Sequence, residues 1–152
     1  MTAELPRREQ SGAAANLASP LAPAGFATQL FARAVPEDLA RYGAADLAML
    51  AGRAWDFLQA RDPGAPKLRC ETVALAHSGE RKSVAVIDIV NDDMPFLVDS
   101  VMAELTDRGL TPRLVVHPIL AVARDKTGKL DGAPREAGKN KDETIAHIAK
   151  QD

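Results

Sequence analysis

The period of hydrophobic and polar positions changes within one stretch of the chain, Ser83–Val122. Its first apolar run, Val84–Val90, is rich in β-branched residues and too short for an ordinary helix, which predicts a buried strand. In Leu97–Leu105 the apolar residues instead recur every three or four positions, which predicts an amphipathic helix of about fourteen residues. A second apolar run, Leu114–Val122, predicts another strand. The order strand, helix, strand indicates a βαβ unit with parallel strands.

Local signals mark both ends of this helix. Asp93 can accept hydrogen bonds from the free amides of the first turn, and Pro95 fits that turn because no backbone donor is needed there. Gly109 suits the left-handed residue that follows the last turn in a Schellman motif. We therefore expect the helix to run from Pro95 to Arg108 and to be capped by the Asp93 side chain.

The sequence before this unit divides into three parts. Residues 1–22 carry Ala, Pro, Ser and scattered charge without a sustained period, which predicts a disordered tail. Residues 23–62 form a predicted helical segment, and its most regular part is Ala44–Arg61. Asp62, Pro63 and Gly64 end that helix. Leu68–Ala76 predicts a strand that returns through a short turn to pair with the central strand as a hairpin.

The sequence after the unit predicts a loop and one more strand. Residues 125–142 are full of Lys, Gly and Asp, which predicts a mobile loop. Thr144–Ala149 predicts a short strand. Because Pro118 cannot donate to a ladder, the strand that carries it belongs at an edge.

A ferredoxin-like split βαβ arrangement places one strand between the two parallel strands, and Thr144–Ala149 is the available candidate. The predicted order is then the Leu68 strand, the Val84 strand, the Thr144 strand and the Leu114 strand. The Leu68 strand takes the edge position that a fourth strand, following a second crossover helix, would otherwise fill. The predicted fold class is α+β, with a ferredoxin-like mixed sheet over residues 67–152 that follows the N-terminal helices.

Composition excludes several classes of protein. The chain has 152 residues, which is enough for one domain with a real core, and a formal net charge of −2, which does not favour nucleic acid or a lipid surface. Its single cysteine, Cys70, excludes an internal disulfide and favours a cytoplasmic protein. No apolar run approaches the roughly 18 residues of a membrane span, and no secretory signal is expected from the charged first residues.

The sequence also lacks a pattern for catalysis. A nicotinamide site needs a glycine-rich turn from strand to helix, whereas this turn holds Asn91, Asp92 and Asp93, whose charges repel phosphate. The three histidines, His77, His117 and His147, have no metal-ligand spacing. We therefore expect no catalytic residue, no metal and no cofactor within these residues.

Two interpretations of the strand-to-helix turn stay open. The amides at the helix start, with Asn91 and Asp92 beside them, could hold the carboxylate and ammonium groups of an amino acid. Alternatively, Asp93 caps the helix and its two neighbours only end the strand. Phe96 points away from the apolar stripe, which favours a packing contact with another domain or subunit. Trp55 lies off the centre of its own helical stripe and is a second candidate for such a contact.

Several segments of the chain carry a resemblance to a known family. Residues 24–150 resemble the N-terminal part of the very large bacterial NAD-specific glutamate dehydrogenases. The segments that carry it are Met94–Val101 with the preceding Asn-Asp-Asp, Val115–Ile119 with its His117-Pro118 pair, Val35–Leu39, Trp55 and Arg61–Gly64. The resemblance implies an ACT-like domain, a module that commonly binds amino acids and regulates an attached enzyme. ACT loops commonly place Gly after Pro, whereas here Phe96 puts a bulky ring in the path of a ligand.

The resemblance implies a leading hypothesis and an alternative. The leading hypothesis is a regulatory or assembly module of an enzyme that oxidatively deaminates L-glutamate to 2-oxoglutarate and ammonia, with NAD bound only in downstream domains. Its partners would be those domains, and an unpaired sheet edge would favour a homo-oligomer. The alternative is an amino-acid sensor. The tentative ligand residues are Asn91, Asp92, Asp93, Met94, Phe96 and Gly109, and the tentative interface residues are Phe96, Trp55 and His117.

Overall fold

The computed structural model describes residues 22–23, 25–77, 80–136 and 142–151. The helices are α1 (Phe26–Phe31), α2 (Pro36–Leu39), α3 (Ala44–Leu58) and α4 (Leu97–Asp107). The strands are β1 (Lys67–His77), β2 (Glu80–Asp92), β3 (Pro112–Val116), β4 (Ile119–Ala121), β5 (Arg135–Glu136) and β6 (Asp142–Gln151). The α+β class predicted from the sequence is confirmed, whereas the predicted tail, 1–22, lies almost entirely outside the described residues.

All six strands form one sheet. β1 and β2 pair as an antiparallel hairpin, from Lys67 opposite Val90 to His77 opposite Glu80. The other side of β2 pairs with β6, and β6 pairs in turn with β3 and β4, each time antiparallel. Since β2 and β3 both run opposite to β6, they are parallel to each other, with β6 between them and α4 connecting them. The order β1, β2, β6, β3 is the order expected from the sequence. The predicted edge position of the Pro118 segment is wrong for β4, because β4 pairs with β6 on one side and with β5 on the other.

The segment predicted as one strand from Leu114 to Val122 is two strands. β3 ends at Val116 and β4 begins at Ile119, and both pair with β6. Pro118 has no amide hydrogen and interrupts the ladder between them. His117 lies in the same gap and is half-buried.

The main hydrophobic core lies on one face of the sheet, beneath α1, α2 and α3. Alternate residues of β2 point to this face, so Val84, Val86 and Val90 are buried there. The apolar stripe predicted for α3 is buried against them, and it comprises Leu47, Leu50, Ala51, Ala54, Phe57 and Leu58. The helices before the sheet therefore belong to the same folding unit as the strands.

The opposite face of the sheet is only partly covered, by α4. Ile89 of β2 and Leu105 of α4 are buried but do not belong to the main cluster. The predicted stripe of α4 is otherwise half-buried, at Leu97, Val98, Val101 and Met102. On this face the side chains of β1 are exposed, at Leu68, Cys70, Thr72 and Ala74. Of the apolar stripe of α4, only Leu105 is therefore fully buried.

The start of α4 differs from the prediction and its end confirms it. The helix begins at Leu97 with Phe96 at the N-cap position, so the predicted start at Pro95 is wrong and Asp93 is not the N-cap residue. The left-handed backbone of Phe96 lies between Pro95 and the first helical residue. At the other end, Gly109 has a φ of 70° and the Leu110 amide donates to the Leu105 carbonyl, as a Schellman motif requires.

The first part of the predicted mobile loop, residues 125–142, is a hydrogen-bonded turn. The Asp125 carboxylate accepts hydrogen bonds from the Thr127 hydroxyl, the Thr127 amide and the Lys129 amide. These donors lower the pKa of Asp125, with the Thr127 hydroxyl as the largest cause. Isolated bridges join Ala60 to Lys129 and Arg124 to Leu130. The polar composition therefore reflects a tight turn docked after α3, and residues 137–141 lie outside the described part of the chain.

Candidate functional site

The strand-to-helix loop begins with two polar residues, Asn91 and Asp92, whose side chains contact the buried Arg61. Only 3% of the Arg61 side chain is exposed, and its Nη1 donates to Asp92 Oδ1 at 2.9 Å. Its Nη2 reaches Asn91 Oδ1 at 3.5 Å, and its Nε donates to the Ala65 carbonyl at 2.6 Å. Since Arg61 follows α3, these contacts tie the end of that helix to the end of β2. The groups predicted to hold an amino acid are thus engaged within the domain.

The rest of the loop presents hydrophobic side chains to solvent. Met94 is 51% exposed and Phe96 is 75% exposed. The Asn91 side-chain amide contacts Met94 Sδ at 3.5 Å, which holds Met94 close to the end of β2. This part of the loop is therefore suited to contact with another apolar surface, as the sequence predicted for Phe96.

Phe96 is strained as well as exposed. Its φ of 65° and ψ of 8° lie in the left-handed region, and among the described residues it is the only one other than glycine with positive φ. This conformation costs a residue with a Cβ about 1–2 kcal/mol. Its carbonyl accepts the hydrogen bond of the Ser100 amide at 2.8 Å, which starts α4. The chain thus holds an aromatic side chain outward at an energetic cost.

We expect Phe96→Gly to be more stable than Phe96→Ala by about 1 kcal/mol, because glycine adopts the left-handed backbone without strain and alanine does not. Urea denaturation of the two variants measures this difference. Neither variant keeps the ring, so each serves as the control for the other. An alanine variant as stable as the glycine variant would contradict the strain at this position.

The other predicted site residues do not join this loop. Gly109 lies beyond the far end of α4, and a helix of 11 residues is about 16 Å long. His117 lies in the gap between β3 and β4. Trp55 packs edge-on against Phe26, with ring centroids 5.1 Å apart, on the side of the molecule that carries the main core. The structure brings together Asn91, Asp92, Asp93, Met94 and Phe96, and separates them from Gly109 and Trp55. His117 lies across β6 from the end of β2.

Trp55 also borders a shallow depression of about 410 Å³ between α3 and the turn. Its other walls are Ala22, Pro23, Gln59, Leu130, Gly132 and Ala133. The Gln59 side-chain amide donates to the Trp55 carbonyl. No charged side chain lines the depression within the described residues, so it has no group that would orient a charged ligand.

Sequence reasoning missed a charged network between α3 and the sheet. Asp88 is 1% exposed and accepts hydrogen bonds from Arg69 Nε and Nη2 at 3.0 and 2.8 Å. Arg53 of α3 lies 3.9 Å from Asp88 and pairs with Glu71 at 2.7 Å. The signal was a carboxylate inside the apolar run Val84–Val90, because a buried charge is normally paired.

Two cations of β1 also contact the end of α3. Arg69 and Lys67 lie over the Phe57 ring, at 4.6 and 4.4 Å from its centroid. The Lys67 amine donates to the carbonyls of Phe57 and Ala60, each at 2.7 Å. Burial of the amine, followed by the charge of Arg69, lowers the pKa of Lys67. These contacts fix α3 on the sheet and stabilise the carbonyl groups at its end.

The described residues contain no group of three or more His, Cys, Asp or Glu side chains that could hold a metal ion. Over the same ranges, no helix has the length and hydrophobicity required to cross a membrane.

The fold and the loop define a small α+β domain whose strand-to-helix loop is tied down by its polar residues and exposes its hydrophobic ones. The chain belongs to the family described as glutamate dehydrogenase, ACT1 domain, whose model matches residues 26–150. The recognition from the loop and the His117-Pro118 pair is therefore confirmed.

Two relatives share this family resemblance. A stretch of 102 residues, 66% of this chain, is 41% identical to the NAD-specific glutamate dehydrogenase of Halomonas elongata. A stretch of 117 residues, 77% of this chain, is 28% identical to the NAD-specific glutamate dehydrogenase of Pseudomonas aeruginosa. The chain spans only 6% and 7% of the lengths of these two proteins. No solved structure is significantly similar to this chain.

Proposed function

We propose that this chain is the N-terminal regulatory or assembly module of a large, cytoplasmic NAD-dependent glutamate dehydrogenase. The parent enzyme oxidatively deaminates L-glutamate to 2-oxoglutarate and ammonia, and its NAD site and catalytic groups lie in downstream domains. The module itself acts by contact with those domains. The family membership and the names of the two relatives support this assignment.

The contact role is supported by the way the side chains of this loop are placed. Arg61 holds Asn91 and Asp92 from the inside, while Met94 and Phe96 face solvent. The loop therefore presents the apolar side chains of Met94 and Phe96 to solvent beside its exposed carboxylates, as surfaces that contact protein do.

A ferredoxin-like, ACT-type fold is part of the proposal. It is supported by β6 lying between the parallel strands β2 and β3, which α4 connects. In this assignment β1 occupies the sheet position that the last strand of a complete ferredoxin-like fold would take.

The alternative, an amino-acid sensor, would use Asn91, Asp92, Asp93, Met94, Phe96 and Gly109. Gly109 lies a helix length away from the others, and two of the polar groups already have Arg61 as a partner. Titration calorimetry of the chain with a panel of amino acids separates the two proposals. The sensor requires heat that is lost in Asp92→Ala, whereas the contact module requires none with any amino acid.

A homo-oligomer through the outer edge of β1 is a further part of the partner proposal. Two backbone groups of this edge already have side-chain partners. The Ala76 amide donates to Asp46 at 2.8 Å, and the Ala74 carbonyl accepts from Arg81 at 3.3 Å. Pairing between the β1 edges of two chains is therefore confined to the half of β1 from Leu68 to Thr72. Proteins normally protect exposed strand edges against such association.

The proposal is tested in the parent polypeptide with a form that lacks residues 26–151 and with the point variant Phe96→Ser. Both are expected to reduce NAD with glutamate, because the reacting groups lie elsewhere. We expect at least about a fivefold change in KM or kcat, the lower range of coupling between distant sites, or a changed sedimentation coefficient.

Val35→Ser is the matched control, since Val35 is 52% exposed but lies directly before α2, away from the loop. The absence of glutamate-dependent NAD reduction in the unmodified polypeptide would overturn the enzyme assignment. Unchanged rates and unchanged sedimentation in both variants would overturn the regulatory and assembly role.

A further inference from the structure

Three exposed hydrophobic side chains lie at one end of the sheet, on the face that carries α4. Leu68 is 69% exposed and lies directly opposite the buried Ile89 in the hairpin, so both share that face. Asn91 is the next residue of β2 on the same face, and diagonal neighbours of this kind are about 7–8 Å apart. Asn91 in turn contacts Met94, so Leu68 lies at the end of the sheet from which Met94 and Phe96 project. We call Leu68, Met94 and Phe96 the Phe96 patch.

The patch is not a by-product of loop packing. Phe96 is held in a left-handed backbone that favours glycine, and its ring is still exposed. A sequence selected only for the stability of this domain would place glycine or a polar residue there. An exposed aromatic ring on a strained position is the arrangement of an anchor that fills a pocket on a partner.

The border of the patch is acidic. Asp92, Asp93 and Asp99 are all exposed and lie within four residues of Phe96 along the chain, and Asp92 also pairs with Arg61. In a symmetric dimer in which the Phe96 patches of two copies contact each other, the carboxylates of one copy would face those of the other. Such like-charge contacts oppose association, and a basic partner surface would favour it.

We propose that the Phe96 patch docks onto another part of the same polypeptide, outside residues 1–152, which offers an apolar pocket bordered by Lys or Arg. The inference rests on the proposed function only in requiring that the chain is part of a longer polypeptide. Its relatives leave ample chain for such a pocket, because the matched region is 6–7% of their length. Met94 and Phe96 enter the pocket, and the carboxylates face its basic border.

Hydroxyl-radical footprinting tests this docking without an activity assay. Oxidation of the native Met94 and Phe96 side chains is measured by mass spectrometry in the 152-residue chain and in the full-length parent polypeptide. We expect both rates to fall by about tenfold in the full-length polypeptide, because a docked anchor loses its contact with water. Met49, a half-buried methionine of α3, is the internal reference and should keep its rate.

A pair of charge variants tests the chemistry of the partner. In the full-length polypeptide, Asp99→Lys is expected to restore oxidation of Met94, because it reverses one charge of the acidic border. Asp107→Lys is the matched control at the other end of the same helix, and it should leave the protection unchanged.

Equal oxidation of Phe96 in the two polypeptides would overturn the docking. Protection that is already present in the 152-residue chain and rises with its concentration would overturn it in favour of a second copy. Protection of Met94 that persists in the Asp99→Lys variant would overturn the proposed Lys or Arg border of the partner pocket. Because none of these readouts uses enzyme activity, protection without glutamate-dependent NAD reduction would refute only the enzyme assignment.

Discussion

Gly128→Ala is expected to destabilise the domain by about 3–5 kcal/mol, from left-handed backbone strain and overpacking together. The φ of Gly128 is 91°, and a Cβ at this position would lie 1.7 Å from the Arg61 carbonyl oxygen. The backbone there cannot yield easily, since the Arg61 amide donates to the Gly128 carbonyl at 3.0 Å. The turn must therefore move away from the segment that follows α3. Chemical denaturation of the wild-type and variant chains measures the loss.

Gly132→Ala is the matched control in the same segment. Gly132 also has a positive φ, of 77°, but its added Cβ would meet no atom within 4 Å. We expect it to cost only the backbone strain, about 1 kcal/mol. Equal losses for the two variants would show that the contact between Gly128 and Arg61 does not hold the turn in place.

Arg69→Met is expected to cost about 3–5 kcal/mol, because it leaves the Asp88 carboxylate buried without the arginine that donates two hydrogen bonds to it. The remaining arginine, Arg53, is 3.9 Å from Asp88 and is already paired with Glu71. Methionine keeps much of the apolar stem of arginine, so the loss reports mainly the charge. The free energy of unfolding from urea titration is the measurement.

A second substitution separates the charge from the packing. Adding Asp88→Leu to Arg69→Met is expected to recover a large part of the loss, because the buried carboxylate that lost its two hydrogen bonds from Arg69 is then removed. Glu71→Gln is the control for the rim of the network and should cost less than about 1 kcal/mol, since Glu71 is about half exposed. A double variant less stable than Arg69→Met alone would indicate that Asp88 is stabilised by groups other than Arg69.

Repeating patterns predicted most of the architecture, because regular elements leave a period in the chain. The stripe of α3 and the runs of β1, β2 and β3 are visible in the sequence, and the main core is built from them. Gly109 marked the end of α4 correctly, since only the backbone requirement of one residue was involved. Pro118 marked the break between β3 and β4, although the prediction took it only as a sign of an edge.

Contacts between distant segments could not be predicted in this way. Residues 125–136 appeared as an unstructured polar loop, because the Gln59, Ala60 and Arg61 backbone that the turn contacts lies more than sixty positions earlier in the chain. Asp93 had the sequence signature of a helix cap, yet the helix begins at Leu97 and the N-cap position falls on Phe96. The exposure of the apolar stripe of α4 likewise depends on how much of that stripe packs against the sheet.

The sequence by itself determined the α+β class, the family and the position of the loop, because these depend on local period, turn residues and a short motif. Only the tertiary structure decided what the loop presents to its surroundings. Arg61, on a different segment, binds side-chain oxygens of Asn91 and Asp92, and the left-handed backbone holds Phe96 with its ring exposed. The physical reason is that a side chain's availability depends on its partners in space, which the order of residues along the chain does not specify.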